Sequence, residues 1–404
     1  MKPSKNILTF FAFLSATQSS FFIHSMEASK ENETSVTFKQ EKKLCNSTSN
    51  ISLIKGSPDN TRLLIGFQNG TAVLCKIDPE TNSFTTVKRT IKAHSDSVTC
   101  AAFSSHNDFI ITGSNDHTVC YWDLKSNIPF ILQKHTDRVS SVAISPDQTA
   151  ILTGSWDHSI CLWDTQRKKF CYQKKLNKGI VSSVAFDSNQ ETSLMLIGHS
   201  NNLAQLISNH EVKHFKGHTD MLHRVAFSPT TSTLILTAST DRTVRLWNSK
   251  TGNELKKLQH PKGVTFAKFS LDGKTILTIA GGVVYLWNIQ TGALLHTLQT
   301  NDYSICGAVL SSDYTWIIVH AQAGALYLWT LPKAAAWEIQ NGAEPVFLET
   351  TQTSQTERVK PQKPKVESNS SQDTSSTCET TDHVVSFSTG LDIHNSQQKN
   401  CCIQ

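Results

Sequence analysis

His135 to Asp164 reads HTDRVSSVAISPDQTAILTGSWDHSICLWD. Its runs VSSVAI, TAILTGS and SICLW alternate apolar with small or polar residues, or carry β-branched ones, as strands do. Pro146-Asp147 and Trp156-Asp157-His158 separate the runs as turns. An antiparallel meander of this size has faces it cannot bury alone. It must stack on copies of itself, and the chain contains them.

Trp163 is the ruler. Trp122 precedes it by 41 residues, Trp247 follows by 84, Trp287 by a further 40 and Trp329 by a further 42. Leu206 and Cys75 keep the period without the indole, which gives seven units. A second column places an apolar residue nine positions after a histidine: His94 and Phe103, His135 and Ile144, His218 and Phe227, His260 and Phe269. A third lies six positions before the Trp column and reads Asp116, Asp157 and Asp241 in the strongest units. A period near 40 with several strands per unit predicts an all-β radial propeller.

The segments AHSDSV…TGSNDHTVCYWD, KHTDRV…TGSWDHSICLWD and GHTDML…TASTDRTVRLWN resemble the WD-repeat family. The resemblance covers roughly residues 35–332 and implies a seven-bladed β-propeller of four-stranded antiparallel blades that acts as a scaffold. It also implies a hydrogen-bonded tetrad in each strong blade. The matching sets are His94, Thr112, Asp116 and Trp122; His135, Thr153, Asp157 and Trp163; and His218, Thr237, Asp241 and Trp247. The chemistry agrees: the carboxylate accepts from the imidazole, the hydroxyl donates to the other ring nitrogen, and the indole donates to the hydroxyl. Histidine, aspartate and a hydroxyl residue also compose a hydrolase triad. A nucleophile site is normally single, whereas this set recurs three times at one period, so the structural reading is preferred.

Rim positions beside the tetrads are the expected partner contacts: Trp156, Asn115 and Thr240 before the turn aspartates, with Arg138 and Leu222 next to them. An aromatic with no strand to hide in is a favoured interface residue. The expected partner is a protein or peptide, and the chain is expected to be a monomer. In the sixth unit Ala280-Gly281-Gly282 replaces the aspartate turn, and its glycines are expected at positive φ.

The 404 residues carry a net charge of +5, with no stripe of Lys and Arg interleaved with aromatics, so nucleic acid is not an expected partner. Ten cysteines occur without a CxxC pair, and no phosphate loop or metal-ligand spacing is found. No metal, cofactor or catalytic residue is therefore assigned. An enzyme using the channel mouth is the competing class; ionisable residues clustered there from non-equivalent blades would favour it.

The ends carry separate signals. Residues 1–28, with Lys2, Lys5 and the apolar run ILTFFAFL, read as a signal peptide that would send the chain to a periplasmic or secreted destination. SVTFKQ, Ser35 to Gln40, is the favoured strand to complete the last blade so that no edge stays open, with PVFLE, Pro345 to Glu349, as the competing source. Residues 333–404 read as a low-complexity, largely disordered tail. The terminal Cys401-Cys402-Ile403-Gln404 matches a prenylation box with Cys401 as the acceptor, and membrane association is expected only if it is lipidated. Export and cytosolic prenylation conflict unless an intracellular bacterium exports the chain into a host that lipidates it.

Overall fold

The computed structural model describes Thr9–Phe10, Phe21–Phe22 and residues 50–330, apart from 79–82, 93, 127, 178, 189–193, 209–210, 300–304 and 322–323. Thr9–Phe10 pairs antiparallel with Phe21–Phe22. The expected leader otherwise lies outside the described residues, as do the Ser35–Gln40 strand, the tail and Cys401.

Among the described residues, seven antiparallel meanders form the blades of a propeller. Their inner strands are Ile51–Gly56, Val98–Phe103, Val139–Ile144, Val181–Phe186, Leu222–Phe227, Val264–Phe269 and Ile305–Leu310. The third blade continues through Ala150–Ser155 and Ser159–Asp164 to Lys169–Lys175, so its first three strands are the three runs of the repeat unit. Six blades have four strands; the seventh has three among the described residues, Ile305–Leu310, Trp316–Ala321 and Leu326–Thr330. The 47-residue step from Cys75 to Trp122 reflects a long outer hairpin in the first blade, Thr71–Asp78 with Ser83–Lys92.

Blades join by burying apolar faces against each other. The ring closes because Val309, Trp316, Ile318, Leu326 and Leu328 of the seventh blade share one core with Ile51, Ile54, Leu63 and Ile65 of the first. Full closure leaves no exposed sheet face between blades. Spacing between blades is set on the second strands. A Cβ on Gly113 would meet Val139 at 2.7 Å, and one on Gly154 would meet Val181 at 2.5 Å. The small residue admits the valine of the next blade. In the seventh blade the relation is inverted: buried His320 takes that place, and its partner Gly307 leaves the room.

The perimeter is mixed. Phe130 and Ile131 on Pro129–Gln133, and Phe170 and Tyr172 on Lys169–Lys175, are exposed. Lys168 Nζ lies 4.7 Å from the Tyr121 ring centre and 6.0 Å from that of Phe130, and Lys134 Nζ lies 4.9 Å from that of Phe170.

Candidate functional site: the tetrad rim and the central channel

The rim is built outward from the tetrads. In the third blade Trp163 Nε1–H donates to Thr153 Oγ1 at 3.1 Å, and Thr153 Oγ1 lies 2.8 Å from His135 Nε2. His135 Nδ1 lies 2.9 Å from Asp157 Oδ2. An ionised carboxylate only accepts, so the imidazole proton sits on Nδ1 and the threonine hydroxyl donates to Nε2. The fifth blade repeats this, with 2.8 Å from Trp247 to Thr237, 2.7 Å from Thr237 to His218 and 2.7 Å from His218 to Asp241. In the second blade Trp122, Thr112 and His94 keep the pattern at 2.9 and 2.7 Å. There Thr118 intervenes: His94 Nδ1 lies 2.8 Å from Thr118 Oγ1 and 3.3 Å from Asp116 Oδ2.

Each aspartate also ties two loops together. Asp116, Asp157 and Asp241 accept the backbone N–H of Ser95, Thr136 and Thr219 at 2.8, 3.0 and 3.1 Å. The loop leading into the inner strand and the turn between the second and third strands therefore share one rim, as expected. The residues after the aspartates, His117, His158 and Arg242, hold φ of 70°, 65° and 69°. Burial raises the Asp157 carboxyl, but hydrogen bonds from His135, Ser159 and the Thr136 amide outweigh it and hold the group well below the usual carboxylate range. Burial pushes His94 and His218 down against the pull of their aspartates, which favours the neutral imidazole.

Two histidine networks escaped the sequence pattern. His260, Thr278 and Trp287 form the same chain at 2.8 and 3.1 Å without an aspartate; His260 Nδ1–H instead donates to the Leu258 carbonyl at 3.2 Å. The glycines that replace the aspartate turn, Gly281 and Gly282, hold φ of 60° and 82°, as expected. The histidine and Trp columns already carried the signal for this set; only the carboxylate was missing. In the fourth blade His199 Nε2 lies 2.9 Å from Gln205 Oε1, and Gln205 Nε2 lies 3.0 Å from His214 Nε2, so an amide replaces the hydroxyl.

Asn115, Trp156 and Thr240 are structural equivalents. Their backbone N–H groups donate to the carbonyls of Ser97, Arg138 and Met221 at 2.9, 3.0 and 3.0 Å. Trp156 is 39% exposed, and the Arg138 guanidinium stacks 4.1 Å from its ring centre. Thr240 is exposed, and its Oγ1 lies 2.9 Å from His223 Nε2. Asn115 Oδ1 and Arg138 Nε are buried without a hydrogen-bond partner. Leu222 is corrected: it is fully buried, starts the inner strand as Val139 does, and packs with Phe215 and Trp247. The residue in Arg138's place is Met221, because the side chain at Leu222 fills the joint between blades.

Among the described residues, no group of three or more His, Cys, Asp or Glu is placed to hold a metal ion. The channel does gather ionisable residues from non-equivalent blades: Lys55, Arg224 and Lys268 line one cavity of ≈ 410 Å³. No aspartate, glutamate or histidine is among its described lining residues. The thiol there, Cys100, is pushed up to about 11 by burial.

The WD domain, G-beta repeat family matches residues 85–123, 127–164 and 209–248, which contain the second, third and fifth Trp–Asp sets. The chain is 36% identical over 80 residues to a coronin-like protein of Saccharomyces cerevisiae, covering 20% of this chain and 12% of that protein. It is 30% identical over 132 residues to apoptotic protease-activating factor 1 of Homo sapiens, covering 30% of this chain and 10% of that protein. It is 36% identical over 81 residues to WD repeat and SOCS box-containing protein 1 of Takifugu rubripes, covering 19% of each. The chain thus spans a fifth or less of the length of these relatives. Three matched repeats, together with the ring of seven blades they sit in, support a WD-repeat family without singling out a member.

Proposed function

We propose that the chain is a non-enzymatic scaffold that binds a protein or peptide partner on the tetrad rim. The observation that carries this reading is the Trp156–Arg138 pair, with the ring 39% exposed and the guanidinium stacked on it at 4.1 Å. A large aromatic fixed by a stacked arginine offers contact area at low ordering cost, and both residue types dominate binding energy at interfaces. Thr240 is the exposed residue at the equivalent place on the fifth blade, and Asn115 holds that place, half-buried, on the second.

Two features weigh against the enzyme reading. The His–Asp–hydroxyl sets are interior: His94, His135 and His218 are buried, and each hydroxyl is held by an indole and an imidazole. The channel cluster consists of cations, no carboxylate or imidazole is among the described residues that line the cavity with them, and Cys100 is held as a thiol.

The test is quantitative. Partners captured by the full chain are identified, and their affinity is measured against wild type, Trp156→Ala and the perimeter control Tyr172→Ala. Trp156→Ala is expected to weaken binding by about 2 kcal/mol, roughly thirtyfold, with the melting temperature unchanged. Equal affinity for Trp156→Ala and wild type defeats the proposal.

A further inference from the structure

One ring of channel positions is uneven. Ala102, Ala143, Ala185 and Ala226 occupy it in blades two to five and Val309 in blade seven, whereas blades one and six carry Lys55 and Lys268. Arg224 lies two residues earlier on its strand, at the place where blades three and four carry Ser141 and Ser183. The alanines leave space, and the two lysines and the arginine share it. The cavity reaches Pro58, Pro229 and Leu271, in the loops that follow the inner strands. It therefore lies toward the face opposite the tetrad rim.

Filling this ring needs no charge, as five blades demonstrate with alanine or valine. Three like charges in one partly buried cavity repel each other and lose hydration. Burial first, then Lys268 and Arg224, press Lys55 down to about 7, with Cys100 the opposing influence. Burial and Arg224 also lower Lys268. The Arg224 guanidinium is held 5.4 Å from the Phe266 ring centre, which leaves its donors aimed by a fixed plane.

We propose that this cavity binds a compact, multiply charged phosphate-type anion through Lys55, Lys268 and Arg224. A single carboxylate would leave two cations uncompensated. A polyphosphate offers charge and acceptor oxygens to all three, with the guanidinium engaging it bidentately and the ammonium groups as point charges. The size of the cavity, ≈ 410 Å³, suits a small molecule rather than a folded segment.

The experiment is isothermal titration of the full chain with inorganic tripolyphosphate at low ionic strength. One-to-one binding is expected, with affinity falling about tenfold or more in Lys55→Met and in Lys268→Met. Both variants are expected to melt no lower than wild type, since each removes a repelled charge, so a loss of binding is separable from a loss of fold. Lys175→Met, an exposed residue on an outer strand, is expected to change nothing. Binding at pH 8 in two buffers of different ionisation heat is expected to show proton uptake, because the anion restores the charge on Lys55. No binding up to about 5 mM, wild-type affinity in both channel variants, or an equal loss in Lys175→Met would overturn the proposal.

Discussion

Replacing the turn aspartate by alanine tests the tetrad argument blade against blade. Asp157 accepts from His135 Nδ1 at 2.9 Å, Thr136 N at 3.0 Å, Ser159 N at 2.9 Å and Ser159 Oγ at 2.6 Å. His135 is buried, and when the carboxylate goes its Nδ1–H keeps only the longer contact to Ser159 Oγ at 3.3 Å, which leaves it close to stranded. A stranded buried donor costs about 1–3 kcal/mol, and hydrogen bonds to a charged group contribute about 1.5–3 kcal/mol each before desolvation is subtracted. Asp157→Ala is therefore expected to cost about 3 kcal/mol net. In the second blade His94 Nδ1 still has Thr118 Oγ1 at 2.8 Å, so Asp116→Ala is expected to cost about 1 kcal/mol less. Urea unfolding followed by tryptophan fluorescence measures both, and thermal melts should fall by about 6–12 °C for Asp157→Ala. If Asp116→Ala costs as much as Asp157→Ala or more, or if both cost under about 0.5 kcal/mol, the assigned hydrogen-bond chain is wrong.

Two further expectations concern stability. Burial pushes His260 and His320 from 6.5 down to about 4, so between those values the unfolded chain holds protons that the folded chain does not. Stability is then complete above pH 6.5 and lost as the pH falls toward 4, by no more than about 3 kcal/mol per histidine; a urea midpoint that stays flat from pH 7 to 4 would contradict this. Gly154→Ala puts a methyl 2.5 Å from Val181 Cγ1 and 2.9 Å from Val184 Cγ1 and is expected to cost about 1–3 kcal/mol by calorimetry.

The sequence was most legible where one residue type recurs at a fixed period. Trp122, Trp163 and Trp247 sit where the ruler put them because each indole is needed by a threonine in its own blade. His260 was half legible: its column was visible, but its missing carboxylate hid a network that a backbone carbonyl completes. Leu222 was misread because a shift of one position separates a rim residue from a buried strand start, and Met221 holds the rim place. The channel cations were not legible. Lys55 sits in an ordinary apolar run, Leu53-Ile54-Lys55-Gly56, and only the closing of seven strands brings it near Lys268 and Arg224.

The ammonium groups at the circumference act as bumpers. An outer strand has a row of backbone groups with nothing beyond them, and Phe130, Ile131, Phe170 and Tyr172 would make that margin adhesive. Lys168 lies over Phe130 and Lys134 over Phe170, so a second wheel pressing on those two strands would have to strip water from both charges before any backbone could zip.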